Sequence, residues 1–134
     1  MRKVIFIILL LVVSICGYAQ ITTHFVKVDG GVEKSQITCF KLTSINEQSY
    51  LYITNELSNS RYKITEQKEP SERVINGDSV TVYIFDCIDT TGRAKHHFVQ
   101  TLPKHLKGKK VIIKDYVTIG ERKMPCVTYT SIEY

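Results

Sequence analysis

The sequence predicts an all-β antiparallel domain, and three observations carry that prediction. Apolar residues recur at every second position along most of the chain after residue 20, the period of a strand with one buried face. Turn-favouring clusters punctuate these runs, among them Asp29-Gly30-Gly31, Asn76-Gly77-Asp78 and Asp89-Thr90-Thr91-Gly92. No stretch long enough for a crossover helix carries a helical stripe, so a parallel sheet is not expected. About seven or eight short strands in such an order specify a β-sandwich of immunoglobulin-like kind, with a small OB-like or other β-barrel as the alternative.

The elements follow in order. Residues 21–28 read as the first strand, and residues 36–45 as the second, with Phe40 and Leu42 on one face. A turn at 46–49 leads into 50–54, where Leu51 and Ile53 face one way and Tyr50 and Tyr52 the other. Residues 55–60 are polar loop, and 61–65 form a short strand that ends at the segment around Pro70, because proline cannot donate to a ladder. After Asn76-Gly77-Asp78 comes the most apolar strand. Val80, Val82 and Ile84 lie on one face and Tyr83, Phe85 and Cys87 on the other, so both faces should be buried and the strand central. The turn at 89–92 pairs it with 95–101; a basic connection at 103–108, a strand at 111–119, a turn at 120–125 and a strand at 126–133 complete the chain.

Ahead of this domain lies a segment with the outline of an export signal. Arg2 and Lys3 precede an apolar run over 4–13, and Gly17-Tyr18-Ala19 offers small residues at a cleavage point. The run is too short for a membrane-spanning helix, which needs roughly 20 apolar residues. The expected organisation is a signal peptide over 1–19 and one all-β domain over 20–134, periplasmic or secreted, with no transmembrane helix after cleavage. Val13-Ser14-Ile15-Cys16 also resembles a lipobox, so a lipid anchor at Cys16 is the alternative, although Ile15 stands where that pattern takes a small residue.

The formal net charge of +5 includes Arg2 and Lys3 and is unevenly spread. Residues 20–92 hold seven Lys/Arg against ten Asp/Glu, whereas 93–123 hold nine against two. The densest run, Lys104, Lys107, Lys109 and Lys110 around Gly108, is the candidate anion-binding surface, for an anionic lipid, an acidic glycan or an acidic protein. Nucleic acid is not an expected partner of an exported protein.

Tyr50, Tyr52 and Tyr62 form a candidate aromatic surface, since tyrosine brings a large amphipathic area with few torsions to immobilise. Cys39, Cys87 and Cys126 remain after cleavage, and in an oxidising compartment Cys39 and Cys87 are a candidate disulfide. His96 and His97 are adjacent, so on a strand they point to opposite faces and cannot share a metal; no metal or cofactor is expected. Neither a nucleophile motif nor a placed pair of carboxylates is legible. The expectation is a small non-enzymatic binding or interaction protein of the bacterial cell envelope or exterior. The alternatives are an adhesin or assembly component acting by strand addition and, further off, a small hydrolase.

Overall fold

The computed structural model describes residues 20–134. The expected signal peptide over 1–19 and the lipid-anchor alternative at Cys16 lie outside the described residues. The fold is all-β and antiparallel, with ten strands among the described residues: β1 Gln20–Val28, β2 Lys34–Ile45, β3 Gln48–Asn55, β4 Asn59–Gln67, β5 Ser71–Ile75, β6 Asp78–Asp89, β7 Ala94–Pro103, β8 Ile112–Ile119, β9 Arg122–Lys123 and β10 Val127–Thr130.

Neighbours in the sheet follow chain order from β1 to β4, and β4 then pairs with β6, β6 with β7 and β7 with β8. Strand β10 lies between β8 and β1 and pairs with both, so the path closes into a ring. A closed sheet leaves few unpaired backbone edges, and this one meets the expectation of a sandwich-type or barrel-type antiparallel fold. Strands β5 and β9 were not legible in advance. Strand β5 is exposed along most of its length and pairs only with β6, continuing the line of β4 after Pro70 breaks it. Strand β9 is two residues long.

The tight turns have the backbone that two-residue hairpins require. Asn46 and Glu47 join β2 to β3 with φ of 50° and 66°, and Asn76 and Gly77 join β5 to β6 with φ of 51° and 82°. Positive φ at both central residues matches the twist of antiparallel strands, and Asn and Gly accept it readily. Between β6 and β7 the Asp89 carboxylate accepts hydrogen bonds from the Thr91 hydroxyl and the Arg93 and Ala94 backbone N–H groups, which fixes that hairpin.

The apolar alternation fills the interior. Phe40, Leu42, Leu51, Ile53, Ile64, Phe85 and Phe98 form one buried cluster with Tyr83, Cys87, Leu102, Val111 and Ile113. Phe98 is wholly inaccessible and stacks on Phe85 at 5.6 Å between ring centroids. Strand β6 is buried on both faces only in its first half: Tyr83, Phe85 and Cys87 join the core and Val80 and Val82 are buried outside that cluster, whereas Ile84, expected to be buried beside them, is half-buried, as are Asp86 and Ile88 on the same face.

At one end the chain terminus straps the β7–β8 connection. The Ser131 hydroxyl accepts the Val111 N–H at 2.8 Å, the Ser131 N–H donates to the Val111 carbonyl, and the Gly108 N–H donates to the Tyr134 carbonyl.

Candidate functional site

Strand β7 alternates strictly, with His96, Phe98, Gln100 and Leu102 buried and the residues between them less so. The two adjacent histidines therefore enter different environments, and each meets an aspartate. Inside the ring, His96 Nδ1 lies 3.0 and 2.9 Å from the two carboxylate oxygens of Asp115. Tyr62 packs on the His96 ring at 4.4 Å and Phe98 stacks under it at 5.7 Å. This pair lies in an aromatic wall, and its members are only 9% and 7% exposed at the side chain.

The Asp115 carboxylate colours its surroundings. Burial first, then the negative charge of Asp115, pushes the Tyr129 phenol up to about 12 and raises Tyr62 in the same direction, against an opposing hydrogen bond to Ser60. The Cys87 thiol is pushed well above its ordinary range by burial, with Asp115 and Asp86 adding to it. Such a thiol is a packed apolar group and a poor nucleophile.

Outside the ring, the register sets Asp86 opposite His97 and His97 opposite Tyr116, giving a row across β6, β7 and β8. His97 Nδ1 sits 2.6 Å from an Asp86 oxygen, and the His97 and Tyr116 rings lie 6.0 Å apart at 53°. The next row toward the hairpin sets Ile88 opposite Lys95 and Lys95 opposite Thr118. Together with Thr65 these side chains line an open groove of about 480 Å³. The Asp86 and His97 side chains are 33% and 40% exposed, so the pair is reachable from solvent. Among the described residues His97 Nε2 has no hydrogen-bond partner and Lys95 no ion pair.

A carboxylate on Nδ1 fixes the ring and leaves Nε2 as the nitrogen open to the groove. Two donors of this kind do not make a metal centre, and among the described residues no group of three or more His, Cys, Asp or Glu could hold a metal ion.

The residues singled out from the sequence fall in three places. In the basic connection, Lys104 is tied to Glu72 at 2.8 Å and Lys109 to Asp78 at 3.0 Å. Lys107 and Lys110 are exposed and outside these ion pairs. The groove of about 300 Å³ beside Lys109 and Lys110 also contains Asp78 and Glu133, so acids interleave with the basic run in space.

On the far wall, Tyr50 carries the Arg61 guanidinium 5.2 Å above its ring, and Tyr52 lines a groove of about 510 Å³ with Lys41 and Asn59. Tyr62 does not join them. Its register partner is Leu51, whereas Tyr50 and Tyr52 face Lys63 and Arg61, and that one-residue parity turns Tyr62 against His96 and the core.

Cys39 and Cys87 are both free thiols. Cys39 lies between the inward Thr38 and Phe40, and its sulfur is 3.7 Å from the Thr22 hydroxyl, whereas Cys87 is in the interior cluster. The expected disulfide is thus absent, because the alternation of β2 and β6 puts the two sulfurs on different faces of the wall.

The groove row itself was not singled out from the sequence, although the signal existed. A hairpin closing at 89–92 brings Asp86 opposite His97 once its register is counted. Comparison with protein-family models, with curated proteins and with solved structures found no match.

Proposed function

We propose that this chain is a small exported binding protein, without catalysis of its own, that works in or outside the bacterial envelope and holds its partner on the outer-wall groove of Asp86, His97 and Tyr116. The observation that carries this reading is the 2.6 Å contact between Asp86 and His97 in a solvent-open groove. Holding an imidazole by a carboxylate at the surface gains little for the fold, since exposed pairs contribute only about 0–1 kcal/mol. It does orient a ring nitrogen toward a guest. Convergent polar groups beside an aromatic ring in a concave wall are the usual composition of a binding site.

Several features support binding over catalysis. Neither histidine is hydrogen-bonded to a serine, threonine or cysteine among the described residues, and the thiol nearest the groove is raised by burial. A nucleophile and a base within hydrogen-bond reach are the minimum for acyl transfer. Strand addition has weaker support. The free side of β5 offers Val74 at 71% exposure, but Pro70, Glu72 and Arg73 flank it, and such residues blunt an edge.

The second reading is contact with an anionic lipid, glycan or protein through Lys104, Lys107, Lys109 and Lys110. Exposed Lys107 and Lys110 favour it, while the ion pairs of Lys104 and Lys109 speak against a four-lysine surface. Retention on an immobilised envelope fraction of the producing organism separates the two. His97→Ala should lose retention and the Lys107→Ser/Lys110→Ser variant should keep it; the reverse pattern would transfer the function to the basic connection.

A further inference from the structure

We propose that the ligand of the outer-wall groove is an acidic saccharide; this rests on the groove being the binding surface. The chemistry of the lining selects it.

Asp86 engages His97 Nδ1, so Nε2 is the ring nitrogen left to meet a guest, and an imidazole nitrogen there donates or accepts according to its tautomer. The second Asp86 oxygen is an acceptor. An apolar guest would leave both unmet, and a simple anion would be repelled by the carboxylate. A guest rich in hydroxyls satisfies them, because one O–H donates to the carboxylate while a neighbouring hydroxyl, both donor and acceptor, meets the imidazole nitrogen in either role. Thr118 and the Tyr116 phenol add hydroxyls that both donate and accept, and the Thr65 hydroxyl, which donates to the Asp86 carbonyl at 3.2 Å, adds an acceptor.

Tyr116 supplies the apolar component. It is 44% exposed at the groove wall, and its ring meets the His97 ring at 53°, making a corner rather than a flat sheet. The C–H face of a pyranose packs on such a ring while its equatorial hydroxyls reach the polar side. The groove of about 480 Å³ has room for a short oligosaccharide segment.

Lys95 sets the preference for an acidic sugar. It stands one row from His97 on the same face, between Ile88 and Thr118, and no carboxylate neutralises it among the described residues. A ring carboxylate on the guest would pair with Lys95 while its hydroxyls donate to Asp86, so one saccharide meets both charges.

The test is titration of the purified protein with a panel of uronic-acid trisaccharides, each beside its neutral counterpart, read by amide chemical shifts and by calorimetry. Acidic members should shift residues 86, 95, 97, 116 and 118. Tyr116→Ala and Lys95→Gln should each weaken binding about tenfold, and Lys95→Gln should also level the acidic and neutral affinities. Equal binding of acidic and neutral sugars by the unaltered protein would overturn the role of Lys95. No shifts with any sugar, while an envelope extract still shifts the groove, would overturn the saccharide and leave the groove standing. Shifts confined to 104–110 would overturn both.

Discussion

His96 Nδ1 contacts both carboxylate oxygens of Asp115 inside the ring, at 3.0 and 2.9 Å, while its neighbour His97 contacts Asp86 outside it. One strand thus carries two chemically alike pairs separated by the thickness of the sheet. Their environments divide their roles: the inner pair is sealed among Tyr62, Phe98 and Cys87, and the outer pair opens on a groove.

The inner pair should be costly to break and cheap to replace. Asp115→Leu strands the His96 imidazole without its partner and should lower unfolding free energy by about 3 kcal/mol. Adding His96→Phe should recover most of that loss, because an aromatic ring can pack against Phe98 and Tyr62. Denaturant titration of the two single variants and the double variant closes the cycle. Additive losses would mean that the two side chains act independently.

Alkaline pH should loosen the ring through Tyr129. Its folded phenol keeps its proton to about 12, against 10.0 for the free group. Between those values the unfolded chain binds fewer protons than the folded one, so stability falls as pH rises. The contribution is complete below about pH 10 and amounts to roughly 2 kcal/mol lost by pH 12. Tyr62, shifted the same way, adds to the slope. Tyr129→Phe should flatten the fall in melting temperature between pH 10 and 12; an unchanged slope would assign the effect elsewhere.

Core packing gives the largest expected losses. Phe98→Ala removes a wholly buried ring that contacts Phe85, Tyr62 and His96, and should cost about 3–5 kcal/mol. Val82→Asp places a carboxylate at a position 5% exposed and should cost several kcal/mol as well. A melting curve for Val82→Asp that matches the unaltered protein would show that the outer face of β6 admits water.

Gln100 offers a change in the opposite direction. It is 1% exposed, and its Nε2 has no hydrogen-bond partner among the described residues. Gln100→Met keeps the shape and removes the unmet donor, so it should be neutral or stabilising by about 1 kcal/mol. A clear drop in melting temperature would reveal a partner bound to that nitrogen in solution.

Much of this architecture was legible because it is local. Alternation placed Leu51, Ile53, Phe85 and Cys87 in the core, the Asp-Thr-Thr-Gly turn fixed the β6–β7 hairpin, and Asn-Gly marked a turn but not the strand before it. Strand β5 was hidden because its pattern is exposed and charged, held only by its pairing with β6. Tyr62 was misplaced because the β3–β4 register depends on loop length, and a shift of one residue reverses every side chain. The groove divides the same way. Asp86 opposite His97 follows from one hairpin, whereas Tyr116 arrives from β8 across a connection whose path the sequence does not encode locally. The interleaving of Lys104 and Lys109 with Glu72 and Asp78 is likewise a matter of long-range pairing.

The most direct test of the central claim is an amide chemical-shift map of the labelled protein with soluble envelope extract from the producing organism. Binding on the outer wall predicts perturbations centred on Asp86, Lys95, His97, Tyr116 and Thr118, and their loss in His97→Ala while the remaining spectrum is unchanged. A map centred on residues 104–110, or on Tyr50 and Tyr52, would contradict it.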